Sequence, residues 1–390
     1  MTISIFILFF LLLIFLKNRV LIFLLFFPLS MYFLTYDMRF SNEVQSLLVN
    51  RSIRDFTNFF IYGLVILLSV ILIILVDSFL LIKVKFKKRY SWNYDLNKFK
   101  KWYYLLSFGT LIGAYINFSH VGFSFEQLFL NPREYEFTFG ASTFINYLYF
   151  LAPVALCQGL FLKHQKVKLR HFNLITVLLI LSSLLHGVKF TVFDTILIPS
   201  FFYYYLKNQN IGLKIPILIL SALLIFYSLF ASFVRGGGET FISQILSYIL
   251  PNYVNLANAL NEKIVQWDGL SIFIPDKIPS IFEEFYLLSE EGFVLNDLYN
   301  MQTAYLNYYR FASYMGPILF LLPIVTFRRF LINVWSKSCS NIFLLAMIDY
   351  CLLFVFFFHA FTKTKYWYLV FIMFIIHITT KKKILLEIDE

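Results

Sequence analysis

The residues of this chain that could do chemistry are few, and they sit at the ends of long apolar runs. The densest group is Val234-Arg235-Gly236-Gly237-Gly238-Glu239, which joins a guanidinium, three consecutive glycines and a carboxylate. Glycine lets a backbone take positive φ and approach a ligand closely. Successive N–H groups in such a turn form a nest for anions, and an adjacent Arg adds a planar fork suited to phosphate. The group reads as a diphosphate cradle at a membrane boundary. The alternative is a glycine turn that ends a helix, with Arg235 snorkelling to headgroups.

Four further groups carry polar chemistry. His186-Gly187-Val188-Lys189 interrupts an apolar stretch, either as a plain turn with an interfacial lysine or as polar groups facing the same side as Arg235. Arg133 stands among three acids in 118–141, where a solvated charge is the default. His359 opens the loop His359-Ala360-Phe361-Thr362-Lys363-Thr364-Lys365; an imidazole there can shuttle a proton and its lysines can attract phosphate, with headgroup anchoring as the rival account. Arg310, just before an apolar run, is similar. Asp77, Asp194 and Asp349 lie in or near apolar runs. A carboxylate at membrane depth is costly and is a functional hypothesis by default, although pairing with Tyr or Lys on a neighbouring helix, or protonation, would explain each. Cys157, Cys339 and Cys351 show no C-x-x-C or Cys/His ligand spacing, so no metal site is expected. No nucleotide-binding fingerprint or P-loop occurs, and no cofactor is expected.

The elements that must position these residues are membrane spans. Of 390 residues 60% are apolar and 14% charged, against about 45–50% and about 25% in soluble domains. That composition cannot cover a water-soluble surface. A helix needs about 20 apolar residues to cross the hydrocarbon core. Suitable runs lie near 2–16, 20–36, 58–82, 102–117, 142–162, 172–186, 190–206, 215–233, 313–327, 338–358 and 366–379. The expectation is an all-α, polytopic transmembrane bundle of about 11 spans, one integral membrane domain over 1–390. Continuous rather than alternating hydrophobicity argues against strands. The first run lacks a small-residue cleavage site and reads as a retained helix.

A net charge of +11 raises the question of nucleic acid, but the basic residues sit in short loops between spans. Of 33 Lys and Arg, 22 fall in the alternate loops that begin with Lys17 and Arg19. That side is expected to be cytoplasmic, with the N-terminus outside and the C-terminus inside. Segment 234–312, with nine acids and four basic residues, is then the largest outer segment. Its stretch 241–265 carries Ile242, Ile245, Leu246 and Ile249 at helical spacing, which predicts an amphipathic helix along the outer interface or re-entering it.

This layout resembles the O-antigen polymerase (Wzy-like) group, the oligosaccharide repeat-unit polymerases of bacterial envelopes. The likeness rests on many spans, low charge, one dominant outer segment in the second half, and Arg235-Gly236-Gly237-Gly238 where a span enters it. Arg133 in an earlier outer loop also fits, and Lys189 stands where Arg is more usual. The resemblance implies a glycosyltransferase of the bacterial plasma membrane that extends undecaprenyl-diphosphate-linked oligosaccharides into O-antigen or capsule. It implies Arg235 and the glycine amides on the leaving diphosphate, helped by Lys189, His186, Arg133 and Arg310, with Glu239 or His359 as base. Membrane lipid and a chain-length regulator would be the other partners. An O-antigen ligase and a lipid-linked oligosaccharide flippase are the alternatives.

Overall fold

The computed structural model describes residues 2–15, 19–41, 44, 56–83, 94–124, 126, 132–139, 143–185, 189–207, 221, 250–257, 259–260, 303–334, 338–356 and 360–382. These residues are helical apart from turns, short 3-10 segments and one isolated β-bridge, Tyr94 to Lys381. Four helices are long and apolar enough to cross a membrane: Val20–Asp37, Thr57–Phe79, Ile145–His164 and Ala304–Ile332. Shorter apolar helices accompany them at Phe172–Leu185, Phe190–Leu206, Cys339–Leu353 and Thr364–Thr380.

The chain forms two compact units. The first comprises Met1–Phe86, Thr240–Asn333 and Ile348–Tyr366. It holds α1 (Thr2–Phe15), α2 (Arg19–Asp37), α3 (Thr57–Lys83) and, from the second half, α10 (Ala304–Ala312) and most of α11 (Gly316–Val334). The end of α12 (Cys339–Leu353) and the 3-10 turn Phe354–Phe356 complete it. α2 packs on α1 and α3. Tyr32 of α2 stacks on Phe59 at a centroid distance of 4.1 Å and its hydroxyl donates to the Phe59 carbonyl at 2.5 Å. Residues 250–257 and 259–260 are helical, and all of them are buried, so this piece of the 241–265 stretch is enclosed on every side.

The second unit comprises Lys87–Glu239, Val334–Met347 and Trp367–Glu390. It contains α4 (Leu96–His120), α5 (Pro132–Phe139), α6 (Thr143–Tyr149), α7 (Ala152–His164), α8 (Phe172–Leu185), α9 (Lys189–Leu206) and most of α13 (Thr364–Thr380). Asp95 caps α4: its carboxylate accepts the N–H groups of Asn97 and Lys98, each at 3.1 Å. The Lys98 N–H, with that of Asn97, holds this carboxyl below its usual range. The apolar run expected as one span over 142–162 matches the stretch Ile145–His164, which a turn at 150–151 interrupts between α6 and α7. Pro153, in the first turn of α7, supplies the reason, since it has no N–H to give the Tyr149 carbonyl one turn earlier.

α4 and α6 approach closely at Gly113, where a Cβ would meet the Tyr149 nitrogen at 2.9 Å and the Ile145 carbonyl oxygen at 3.2 Å. Small residues allow such backbone contact between helices in lipid. Beside it the buried Asn117 amide donates to the Asn146 side-chain oxygen at 2.8 Å.

Most expected span limits lie within a few residues of a described helix; 215–233, apart from residue 221, falls outside the described residues. One expectation is corrected. The expected span 313–327 leaves Arg328 and Arg329 among the 22 loop cations, but α11 continues through both to Val334 and buries them at 1% and 6% exposure. Phe330, Leu331 and Ile332 keep that stretch apolar, and the two charges find partners, described below. Without these two the loop charge still favours the same face by about two to one.

The contact at Gly113 gives a direct expectation. Gly113→Ala should lower unfolding stability in detergent by about 1–3 kcal/mol, through forced displacement of backbone. At Gly109, where an added methyl meets only Leu148 Cδ2 at 3.9 Å, Ala should be tolerated. Thermal unfolding of the two variants side by side checks this; equal melting temperatures would contradict the close contact.

Candidate functional site

Two polar arrangements stand out among the described residues, one in each unit. In the second unit, α5 bears Arg133 as its second residue. Tyr135, two residues on, is buried, and its hydroxyl donates to the Leu185 carbonyl at 2.7 Å. Burial pushes that phenol up to about 12, so it remains a protonated donor throughout the physiological range. Tyr149 makes a parallel bond to the Ser182 carbonyl at 3.0 Å. Tyr135, Phe139 and Tyr149 form one apolar cluster with Ala114 and Val121 of the α4 end, with Leu185 packed against it. Leu185 is the last residue of α8, directly before His186, and Lys189 opens α9. Two sequence-predicted elements 50 residues apart, the Arg133 helix and the segment leading into His186–Lys189, are thus fastened together.

The other sequence-predicted positions divide plainly. Arg235, Gly236, Gly237, Gly238, Glu239, His186 and His359 lie outside the described residues. Arg133 and Lys189 have a helical backbone. Arg310 is in the last turn of α10 and is buried, at 7% exposure, rather than standing in a loop ahead of a span. Several tyrosines of the first unit are internal as well. Tyr253, Tyr305, Tyr308 and Tyr309 are buried. Tyr62 donates to the Tyr305 carbonyl at 2.9 Å, Tyr253 donates to the Pro28 carbonyl at 2.6 Å, and Tyr308 stacks on Phe320 at 4.4 Å. These rings hold helices of the first unit together and are not faces on which a sugar could stack.

Sequence reasoning missed the second arrangement. Arg328 Nε donates to Asp349 Oδ1 at 2.5 Å and Arg328 Nη2 to Oδ2 at 3.2 Å. Arg329 Nε donates to Asp77 Oδ1 at 2.6 Å, and its Nη2 donates to Asp77 Oδ2. Both pairs are bidentate and buried within the first unit. They tie α11 to α12 and to α3. The signal was present: two unexplained acids in apolar runs, and a tandem arginine followed by Phe-Leu-Ile at helical continuation.

Among the described residues no cluster of three or more His, Cys, Asp or Glu could hold a metal ion. Cys157, Cys339 and Cys351 are buried free thiols. No protein-family model, curated protein or solved structure matches this chain.

Removing one partner of a buried ion pair leaves a charge without its counter-ion, a cost of about 3–5 kcal/mol. Asp349→Asn and Asp77→Asn should each lower stability in detergent by that order. The double replacement Arg328→Met with Asp349→Leu should recover most of the loss. Unfolding midpoints for the single and double variants measure this, and single variants as stable as the parent would show that the pairs do not constrain the fold.

Proposed function

We propose that this chain is a polytopic glycosyltransferase of about 11 spans, N-terminus outside, that polymerises undecaprenyl-diphosphate-linked oligosaccharide repeat units on the outer face of a bacterial plasma membrane. The support is its helical, apolar architecture, its charge bias, and the Arg235 glycine run. The observation that carries most weight is the Tyr135 bond to Leu185, which fastens the Arg133 helix to the last residue of α8, directly ahead of His186 in the chain, at one end of the second unit. By the loop-charge bias that end faces outward. A transferase of this kind needs several cations around one diphosphate, drawn from separate loops.

In the reaction, the terminal hydroxyl of one lipid-linked unit attacks the anomeric carbon of the growing chain. The carbon–oxygen bond to the diphosphate breaks, and the bond pair leaves with undecaprenyl diphosphate. Charge develops on that leaving group, so fixed cations there favour the transition state over the ground state. Arg235 and the amides of Gly236, Gly237 and Gly238 take this role, with Arg133, Lys189 and His186 contributing positive charge or hydrogen bonds. Glu239 or His359 accepts the hydroxyl proton, for which hydrogen-bond reach is the requirement. A chain-length regulator would act beside it in the bilayer.

A second reading, a lipid-linked oligosaccharide flippase, draws on the two buried Arg–Asp pairs, because charges at membrane depth commonly mark translocation paths. Detergent solution separates the two readings, since sidedness is then abolished. Purified protein with lipid-linked repeats should build a ladder of chain lengths, and a flippase should build none. Arg235→Lys keeps the charge but loses the planar fork, and should reduce the ladder to single repeats at unchanged membrane abundance. Arg133→Gln should shorten it. Full-length ladders from Arg235→Lys would overturn the assignment of the diphosphate to that residue.

A further inference from the structure

At the opposite end of the second unit, the first turns of α4 and the 165–171 connection between α7 and α8 form an ordered basic rim. Lys100 Nζ donates to the Lys168 carbonyl at 3.1 Å. The Tyr104 hydroxyl donates to the Arg170 carbonyl at 3.1 Å and accepts the Arg170 backbone N–H at 3.0 Å. Arg170 Nε donates to His171 Nε2 at 2.9 Å. Lys166 and His171 take positive φ, 59° and 58°, which turns the connection back onto α4. These bonds leave Lys101, Lys168, Arg170 and His171 exposed together. Among described residues 94–104, 160–175 and 376–382 the one carboxylate is Asp95, already engaged as the cap of α4.

Apolar surface begins directly beyond the rim. Leu105, Phe108 and Ile112 are exposed along α4, and Leu105 lies one helical turn past Lys101. Leu174, Val177 and Leu181 are exposed along α8, starting one turn past His171. The two helices pack against each other, so their stripes run out from the same cationic rim.

We propose that this rim and the paired stripes bind an anionic phospholipid of the adjoining leaflet. Its phosphodiester sits on Lys101, Lys168 and Arg170, and its acyl chains lie along Leu105–Phe108 and Leu174–Val177. Charge complementarity selects the headgroup, since the described residues at this end present the exposed cations Lys101, Lys168 and Arg170, the last two positioned through their backbone, beside one carboxylate already engaged as a helix cap. The apolar stripes select an amphiphile over a soluble anion, because a phosphate alone would leave them unused. The site differs from the general attraction of basic loops to acidic membranes, because it assigns the preference to particular residues and not to Lys381 or Lys382, which are also exposed.

The test uses the full chain in phosphatidylcholine bilayers carrying spin-labelled phosphatidylglycerol or spin-labelled phosphatidylcholine. The motionally restricted fraction of each label gives the relative association. The parent should prefer phosphatidylglycerol several-fold. The triple variant Lys101→Gln, Lys168→Gln, Arg170→Gln should lose that preference. It should also stay folded, because Lys168 and Arg170 hold the rim through backbone atoms; Lys101→Glu alone should weaken the preference and guards against misfolding of the triple variant. Lys381→Gln with Lys382→Gln should keep it. Preference retained by the triple variant, or lost equally by the control pair, would overturn the proposal. Displacement of the labelled lipid by millimolar glycerol phosphate would overturn the part played by the acyl stripes.

Discussion

The first unit depends on a single electrostatic constraint: two adjacent arginines inside an apolar helix must each be neutralised where water cannot reach them. Consecutive residues on an α-helix diverge by about 100°, so Arg328 and Arg329 cannot share a partner on one face. They require acids on two different neighbours, and Asp349 on α12 and Asp77 on α3 supply them. The tandem pair therefore fixes which helices flank α11 and at what height. Buried pairs add little net stability over apolar residues of the same shape, because desolvation offsets most of the attraction. What they penalise is error. A helix shifted by one turn would leave up to four charges in a low-dielectric interior.

The tyrosines of the same unit extend this logic with neutral groups. A phenol carries a large apolar ring and one donor that must be satisfied when buried. Tyr32, Tyr62 and Tyr253 each direct that donor to a backbone carbonyl of another segment, at Phe59, Tyr305 and Pro28. Each bond joins residues between 27 and 243 positions apart, so side-chain hydroxyls close the contacts between distant parts of the chain. The second unit works differently at Gly113, where backbone meets backbone and the Asn117–Asn146 bond sits beside the contact. Lipid supplies no hydrophobic drive between helices, and both units answer with packing and internal hydrogen bonds.

How much of this the sequence discloses follows from the range of each interaction. Apolar runs are local, and helix limits such as 172–185 and 189–206 were legible within a residue or two. The break at 150–151 was signalled by Pro153 but masked by the apolar residues around it. Arg328 and Arg329 were misread because span detection weighs each charge alone, whereas neutralisation depends on Asp349 and Asp77, the latter 252 positions away. The candidate site was legible only as residue types. Nothing local tells that Tyr135 binds the carbonyl of Leu185 and so fastens the Arg133 helix ahead of His186. Arg310 illustrates the converse, since a basic residue beside a span looks like a headgroup anchor until its burial in α10 is known.

Helix length adds a further constraint to the second unit. Its α4 has 25 residues and rises about 37 Å, more than the roughly 30 Å hydrocarbon core. Its neighbour α8 has 14 and rises only about 21 Å. A short helix beside a long one is accommodated by local thinning of the bilayer or by flanking charged residues that reach to the interface. The 165–171 connection, bonded to Tyr104 two turns inside α4, sets the basic rim lower than the start of α4 itself. Lys168 and Arg170 are thereby held alongside the first turns of α4 rather than beyond its end. The same shortness brings the other end of α8 to Leu185, where Tyr135 engages it, so the separation of the two polar ends is set by one helix.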